Sequence, residues 1–206
     1  MEYYSQLMQD KFVDEYLNQK ENGFFIEIGA HDGNSASNTL FFERHRNWKG
    51  ICIEPGPEEF KKLNENRKSI NINACVSDYN GESEYTYIKG YSMMLSGLSE
   101  NYNFSHQQRI QSEVNHYGGE VNKIMMPVKT LQSILDEAEV TDVDYCSIDT
   151  EGSELNIVKS IDFEKTNIKI FSIENNYGDN SIKEYLESKG YTHYAKIQWD
   201  DIFIKL

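Results

Sequence analysis

The stretch Phe24-Phe25-Ile26-Glu27-Ile28-Gly29-Ala30-His31-Asp32-Gly33 constrains the fold of this chain more than any other. Its first half is a run of β-favouring apolar residues, the pattern of a parallel strand buried on both faces. Two glycines then bracket a short polar turn. After residues rich in Ser and Asn, Leu40-Phe41-Phe42 reads as a helix start. Strand, glycine turn and helix make the opening unit of a doubly wound α/β fold, whose ligands sit beyond the carboxyl ends of the strands. Without a Cβ, glycine lets backbone N–H groups approach such a ligand. Glu27 is a charge inside an apolar strand and needs a partner if buried; it is expected to face the ligand.

The following residues repeat this alternation. An N-terminal helix over about Tyr3 to Asn18 carries Leu7, Phe12, Val13, Tyr16 and Leu17 as its stripe. Its residues Gln6, Gln9 and Asp10 could reach over a pocket as a lid, although a solvated polar face is the simpler expectation. A second strand, Ile51-Cys52-Ile53-Glu54, is closed by Pro55-Gly56-Pro57, and a helix over Glu58 to Arg67 follows. A third strand is read from Ile70 to Val76, and Asn80-Gly81 signals a hairpin into Glu82 to Ile88. Residues 90–123 lose periodicity and are read as a substrate-side insertion. Then come a short strand Ile124 to Val128, a helix capped by Thr130, a strand Val143 to Asp149, a helix Leu155 to Ile161 and a strand Ile168 to Glu174. A helix from Ser181 to Lys189 stops at Gly190, and Tyr191 to Ile197 with Ile202 to Lys205 forms a terminal antiparallel hairpin.

With 206 residues the chain is expected to be one domain, with residues 1–20 as a helix or lid. No apolar run approaches the roughly 18–20 residues that span a bilayer. The start lacks a basic region followed by an apolar one, so a signal peptide is not expected. Cys52, Cys75 and Cys146 all fall in predicted strands and are read as buried thiols of a cytoplasmic protein. A net charge of −14 argues against a nucleic-acid partner.

At the carboxyl ends of the predicted strands lie Gly29 to Gly33, Glu54, Ala74 to Ser77, Asp149 to Glu151, and Glu174-Asn175. Glu54 follows the glycine turn by about 20 residues, a spacing that suits a carboxylate accepting both hydroxyls of a ribose. The glycines are spaced Gly-x-x-x-Gly, unlike the Gly-x-Gly-x-x-Gly of dinucleotide sites. That weakens a hydride-transfer reading. A sulfonium-bearing nucleoside has no diphosphate to cradle.

Several stretches together carry a family resemblance: Phe25 to Gly33, Ser37 to Glu43, Trp48 to Pro55, Asn73 to Val76, Ser147 to Glu154, and Ile173 to Asn175. The chain resembles the FkbM-family, S-adenosylmethionine-dependent methyltransferases of the class I, Rossmann-like kind. The resemblance implies a mostly parallel seven-stranded sheet with a C-terminal antiparallel hairpin. It implies that Gly29, Ala30 and Gly33 let backbone approach the methionine part of the cofactor, with Glu27 and Asp32 near its ammonium. By the same resemblance Glu54 holds the ribose, Ala74, Cys75 and Val76 flank the adenine, and Asp149 faces the transferring methyl. His31, Ser35 and Pro55 complete the implied cofactor contacts. The acceptor it implies is a small molecule or glycan with a hydroxyl to be methylated.

A hydroxyl acceptor must lose a proton, and Asp149, Glu151, Glu174 and His31 are the rim candidates to take it. Asp149 is read as central, with Glu151 or Glu174 assisting; His31 suits a turn-stabilising role equally well. His106 and His116 are expected to be polar loop groups, and His45 and His193 surface residues. Asp149, Glu174 and Asn175 offer oxygen donors that would suit a divalent cation such as Mg²⁺, though a hydrogen-bonded rim without metal is the preferred reading. Two other functions stay open on sequence grounds: an NAD-dependent oxidoreductase, and a non-catalytic module that keeps the nucleoside pocket.

Overall fold

A computed structural model describes residues 2–176 and 178–205. In chain order the elements are α1 (Gln9–Tyr16), β1 (Phe24–Ile28), α2 (Leu40–His45), β2 (Lys49–Ile53), α3 (Pro57–Asn66), β3 (Ile70–Ile72) and β4 (Cys75–Ser77). Next come β5 (Gly81–Lys89), β6 (Gly97–Leu98), α4 (Phe104–Tyr117), β7 (Glu120–Thr130) and α5 (Leu131–Glu137). The last are β8 (Asp142–Ile148), α6 (Glu154–Lys159), β9 (Asn167–Glu174), α7 (Ser181–Ser188), β10 (Tyr191–Ile197) and β11 (Asp200–Lys205).

Seven strands form one sheet in the order β10-β11-β9-β8-β1-β2-β3. The five from β3 to β9 run parallel; β11 is antiparallel to β9, and β10 to β11. This is the expected α/β sheet with its terminal hairpin. Side chains alternate across each strand, so Ile26 and Ile28 point to one face with α5, α6 and α7. Phe25 points to the other, against Val13, Phe41, Phe42 and Leu63 of α1, α2 and α3. The three cysteines are free and buried.

That alternation also sets the fate of Glu27. It shares the face of Phe25, so its carboxylate turns under α2 and α3 rather than out past the strand end. There it accepts from Ser37 Oγ (3.0 and 2.9 Å), Asn38 N (2.7 Å), Thr39 Oγ1 (2.6 Å) and Arg67 Nη1 (3.1 Å). Arg67, also buried, completes its fork on Glu43 Oε2 (3.1 Å), Thr39 Oγ1 (2.9 Å) and the Gly33 carbonyl (3.3 Å). Glu27 is therefore engaged in an internal ion pair, and it also lines one of the clefts at the strand ends.

Beyond β3 the chain departs from expectation. The predicted strand Ile70 to Val76 breaks at Asn73, whose Nδ2 donates to the carbonyls of Glu54 (2.8 Å) and Pro55 (3.0 Å). Residues from Cys75 onward join a second, four-stranded sheet, β4-β7-β5-β6. Asn80-Gly81 does not close a hairpin between β4 and β5, because β7 lies between them. Asn80 Oδ1 instead accepts from Thr130 N (2.8 Å) and Ser133 Oγ (2.9 Å). The 90–123 insertion holds a helix, α4, whose N-cap Asn103 accepts from His106 N (2.8 Å). At the N-terminus helix begins only at Gln9. Asp10 holds the preceding segment through Tyr4 N (2.6 Å) and Ser5 N (3.1 Å), a tether rather than a lid residue.

Removing one partner of a buried ion pair strands the other charge. Arg67→Met is expected to cost about 3–5 kcal/mol, read as a lowered urea midpoint with an unchanged slope.

Candidate active site

Two features of the main chain bring the rim together. Gly29 lies at φ +84°, and a Cβ there would stand 1.9 Å from the carbonyl oxygen of Asp149. Only glycine lets the ends of β1 and β8 close to that distance. Gly33 (φ +74°) has a different reason: its Cβ would meet Leu63 and Arg67 at 2.6 Å. It packs against Leu63 of α3 and against Arg67.

Three adjoining clefts open at the carboxyl edge of the large sheet. The first lies between β1, β2 and the second sheet and is lined by Glu54, Pro55, Ala74, Cys75 and Val76. Tyr85 and Tyr87 of β5 and Leu98 of β6 form its far wall. Glu54 stands at its edge with each carboxylate oxygen accepting one backbone N–H, His31 N at 2.8 Å and Gly56 N at 2.7 Å. A carboxylate oxygen accepts two bonds, so both remain able to take one more. Burial, with Glu59 close by, pushes Glu54 up to about 7.

The second cleft, about 520 Å³, lies on the other side of Gly29, between Gln6, Gln9, Ser35, Asn38, Ser147 and Asp200. Both clefts share Gly29, His31, Met94 and Asp149. His31 holds φ +48° and its Nε2 lies 3.4 Å from Met93 Sδ. Asp32 folds back on its own loop, accepting from Asn34 N (2.9 Å), Ser35 N (2.7 Å) and Ser35 Oγ (2.8 Å). Neither Asp32 nor Gly33 lines a cleft, and Ser35 reaches only the second. Ala30 borders the second cleft, with its N–H on the Ile53 carbonyl (3.0 Å).

The third cleft, about 920 Å³, meets the first at Glu151 and continues past Glu154, Glu174 and Asn175. Asp149, Glu151 and Glu174 each bring a carboxylate oxygen within 4.8 Å of the others. Asn175, expected as a third oxygen donor beside Asp149 and Glu174, is committed elsewhere. Its Oδ1 accepts from Asp179 N (2.8 Å) and its Nδ2 donates to Asp201 Oδ2 (2.7 Å). Glu151 takes its place in the cluster, at φ +59°, a conformation that non-glycine residues adopt at a cost and that often marks a functional site. Glu154 holds this loop, accepting from Thr150 N (3.0 Å), Thr150 Oγ1 (2.8 Å) and Gly152 N (3.0 Å). His106 is not an exposed loop group: it is buried on α4, with Nδ1 3.7 Å from Glu151 Oε2.

Burial and mutual repulsion hold protons on this cluster. Asp149 is raised well above the carboxylate range by burial and by Glu174. Glu151, by burial and Asp149, and Glu174, by burial and Glu151, reach about 8. The folded protein thus binds more protons than the unfolded chain between the ordinary carboxyl value and about 8, so stability falls as pH rises across that window. Glu174→Gln is expected to melt above wild type at pH 8.5 and to match it at pH 5 in scanning calorimetry.

The walls from Tyr85, Tyr87 and Leu98 were invisible in the sequence, since they reach the cleft only through the second sheet. Comparison with known proteins agrees with the frame just described. The Methyltransferase FkbM domain family matches residues 27–192. The crystal structure of a methyltransferase FkbM from Methylobacillus flagellatus KT is 13% identical, with a TM-score of 0.51, over 89% of this chain and 43% of that one. This chain therefore spans less than half the length of that protein. The METTL16 methyltransferase domain (14% identical, TM-score 0.47, over 94% of this chain and 64% of that one) is also similar. So is a human methyltransferase 10 domain containing protein (15%, TM-score 0.46, over 96% and 79%). No curated protein matches the chain. With a glycine turn, a ribose-spaced acid and a strand-end acid cluster inside the matched 166 residues, the chain belongs to the FkbM methyltransferase family.

Proposed function

We infer that the protein is an S-adenosylmethionine-dependent O-methyltransferase acting on a hydroxyl of a sugar or glycan. The observation that carries this reading is Glu54: a buried carboxylate fixed by two backbone N–H groups, with a free acceptor position on each oxygen at the edge of the first cleft. Vicinal ribose hydroxyls match that pair of acceptors. Ala74, Cys75 and Val76 with Tyr85 offer the apolar wall for a base, and the cleft continues past Gly29 to Asp149. When bound, the cofactor would supply an electrophilic methyl group on a sulfonium.

The chain's own contribution is placement and proton removal. In-line displacement depends on holding donor and acceptor in line; the first cleft meets the second at Asp149 and the third at Glu151, which supports such a placement. A base works best when its pKa lies near the working pH. Glu151 and Glu174, pushed up to about 8, meet that requirement for an acceptor hydroxyl, with the raised Asp149 beside them. This reading gives the cluster to proton transfer rather than to a divalent cation. The third cleft is lined by carboxylates and by amides, among them Asn101, Asn156 and Asn176, and by no Lys or Arg. Such a lining suits a polyhydroxyl acceptor and not a nucleic-acid backbone. A dinucleotide reading gains nothing from the geometry, because Gly33 lies under Leu63 and Arg67 and cannot cradle a diphosphate.

Calorimetry with S-adenosylhomocysteine tests the assignment. Glu54→Ala is expected to lose most of the affinity while keeping its melting transition; unchanged affinity would contradict the assignment. Asp149→Asn is expected to bind S-adenosylhomocysteine and to lose methyl transfer from labelled S-adenosylmethionine by at least about 100-fold. Transfer at the wild-type rate would remove Asp149 from the chemistry.

A further inference from the structure

The chain has two tryptophans, and the fold treats them oppositely. Trp48 is buried, stacks on Phe42 with ring centroids 4.4 Å apart, and donates its Nε1–H to the Lys20 carbonyl at 2.8 Å. Trp199 is 37% exposed. Among the described residues neither its ring nor its Nε1–H has a partner. It occupies the turn Gln198-Trp199 that joins β10 to β11, between the paired Ile197 and Asp200. Turns this tight favour Asn and Gly, yet Gln198 holds φ +55° here. The hairpin gains nothing from either residue, and an indole left in water forgoes the burial that stabilises Trp48.

Trp199 faces the second cleft, away from the glycine turn at its inner end. Gln6, Ser35, Met94 and Trp199 are exposed residues of the lining, and they bring four separate segments to its rim. No Lys or Arg lines this cleft. Its carboxylates are already occupied: Glu27 faces Arg67, Asp200 Oδ2 accepts from Gln9 (2.6 Å) and Ser172 (3.1 Å), and burial holds the proton on Asp149. The rim thus offers a neutral mixture of apolar surface with amide and hydroxyl groups. A pyranose has the matching character, since its axial C–H groups form an apolar face and its hydroxyls ring the edge. An indole covers such a face at small entropic cost, with only two χ angles to fix, and keeps an N–H for the edge.

Position decides which ring of an acceptor lies there. The Trp199 carbonyl accepts the Asn175 N–H at 2.9 Å, and Asp200 pairs with Glu174. Trp199 is therefore next to the strand end that carries Glu174 to the acid cluster and Asn175 to the third cleft. We propose that Trp199 is an acceptor platform: a pyranose adjoining the one that reacts stacks on its indole while the reacting hydroxyl meets the acid cluster. The acceptor is then a glycan of at least two rings and not a single sugar. The inference rests on the methyl-transfer reading above and adds a specificity-determining residue to it.

The full chain, saturated with labelled S-adenosylmethionine, is assayed with cellobiose, lactose, maltose and N,N′-diacetylchitobiose, and with methyl glucoside and methyl N-acetylglucosaminide as single rings. A disaccharide is expected to be the better acceptor. Trp199→Ala is expected to raise its KM about fivefold or more, with kcat within about twofold of wild type. Trp199→Phe keeps an aromatic face and is expected to stay within about twofold of the wild-type KM. Binding of the same disaccharide should shift the emission of Trp199, read against Trp199→Phe, in which only Trp48 emits. S-adenosylhomocysteine affinity by calorimetry is expected to be equal in all three proteins. An unchanged KM in Trp199→Ala, or single rings methylated as efficiently as disaccharides, overturns this inference and leaves the methyl-transfer reading standing. So does a loss of S-adenosylhomocysteine affinity confined to Trp199→Ala, which would give the ring to the cofactor. Binding of S-adenosylhomocysteine with no transfer to any of these sugars overturns the sugar acceptor and this inference together.

Discussion

The buried pair of Glu27 and Arg67 holds the part of the molecule on which the site depends. Arg67 follows the last turn of α3, and its guanidinium reaches β1 through Glu27, the start of α2 through Thr39, and the glycine turn through the Gly33 carbonyl. Burying two ions costs several kcal/mol each, and such a pair breaks even only when its hydrogen bonds are complete. Here they are: the carboxylate accepts from hydroxyls, a backbone amide and the guanidinium together. What the pair provides is position. Three elements and a loop meet at one guanidinium, so the turn that walls the clefts is braced from behind.

The same sheet carries carboxylates under opposite electrostatic conditions. On the α2 and α3 side, Glu27 and Glu43 share Arg67. At the carboxyl edge, Asp149, Glu151 and Glu174 crowd together, and burial with mutual repulsion raises their proton affinity. Strongly raised carboxyl groups in a cleft are common at functional sites because work at neutral pH requires them. The contrast therefore separates acids that carry an ion pair from acids with raised proton affinity by their partners. Position on a strand does not do so, since Glu27 and Asp149 belong to neighbouring strands of one sheet.

How much was legible follows from the range of each interaction. The large sheet could be read because its central strands are covered on both faces and appear as unbroken apolar runs. The rim residues followed, since a doubly wound sheet places ligands at the strand ends. The second sheet could not be read. β4 is three residues long and pairs with β7 across about fifty residues of chain, with no local pattern to announce it. Helix α4 offers only Ile110 and Val114 to the core beside Ile88 and Leu95, too thin a stripe to stand out. The partner of Glu27 was hidden for a similar reason. Its charge inside a strand called for a partner, but the partner is Arg67, distant in sequence and just past a helix end, where nothing distinguishes it from a surface arginine.

The loop after β8 shows how the site is held without being part of the chemistry. Glu154 opens α6 and was expected only to complement the helix dipole. Its carboxylate instead gathers Thr150 and Gly152, closing a tight turn in which Glu151 is forced to positive φ. That turn aims Glu151 back toward Asp149, the arrangement from which the raised carboxyl values arise. An extended loop would let Glu151 reach solvent and relax the repulsion, and with it the high proton affinity. The unfavourable backbone at Glu151 is thus maintained by Glu154, and with it the close approach of the three acids.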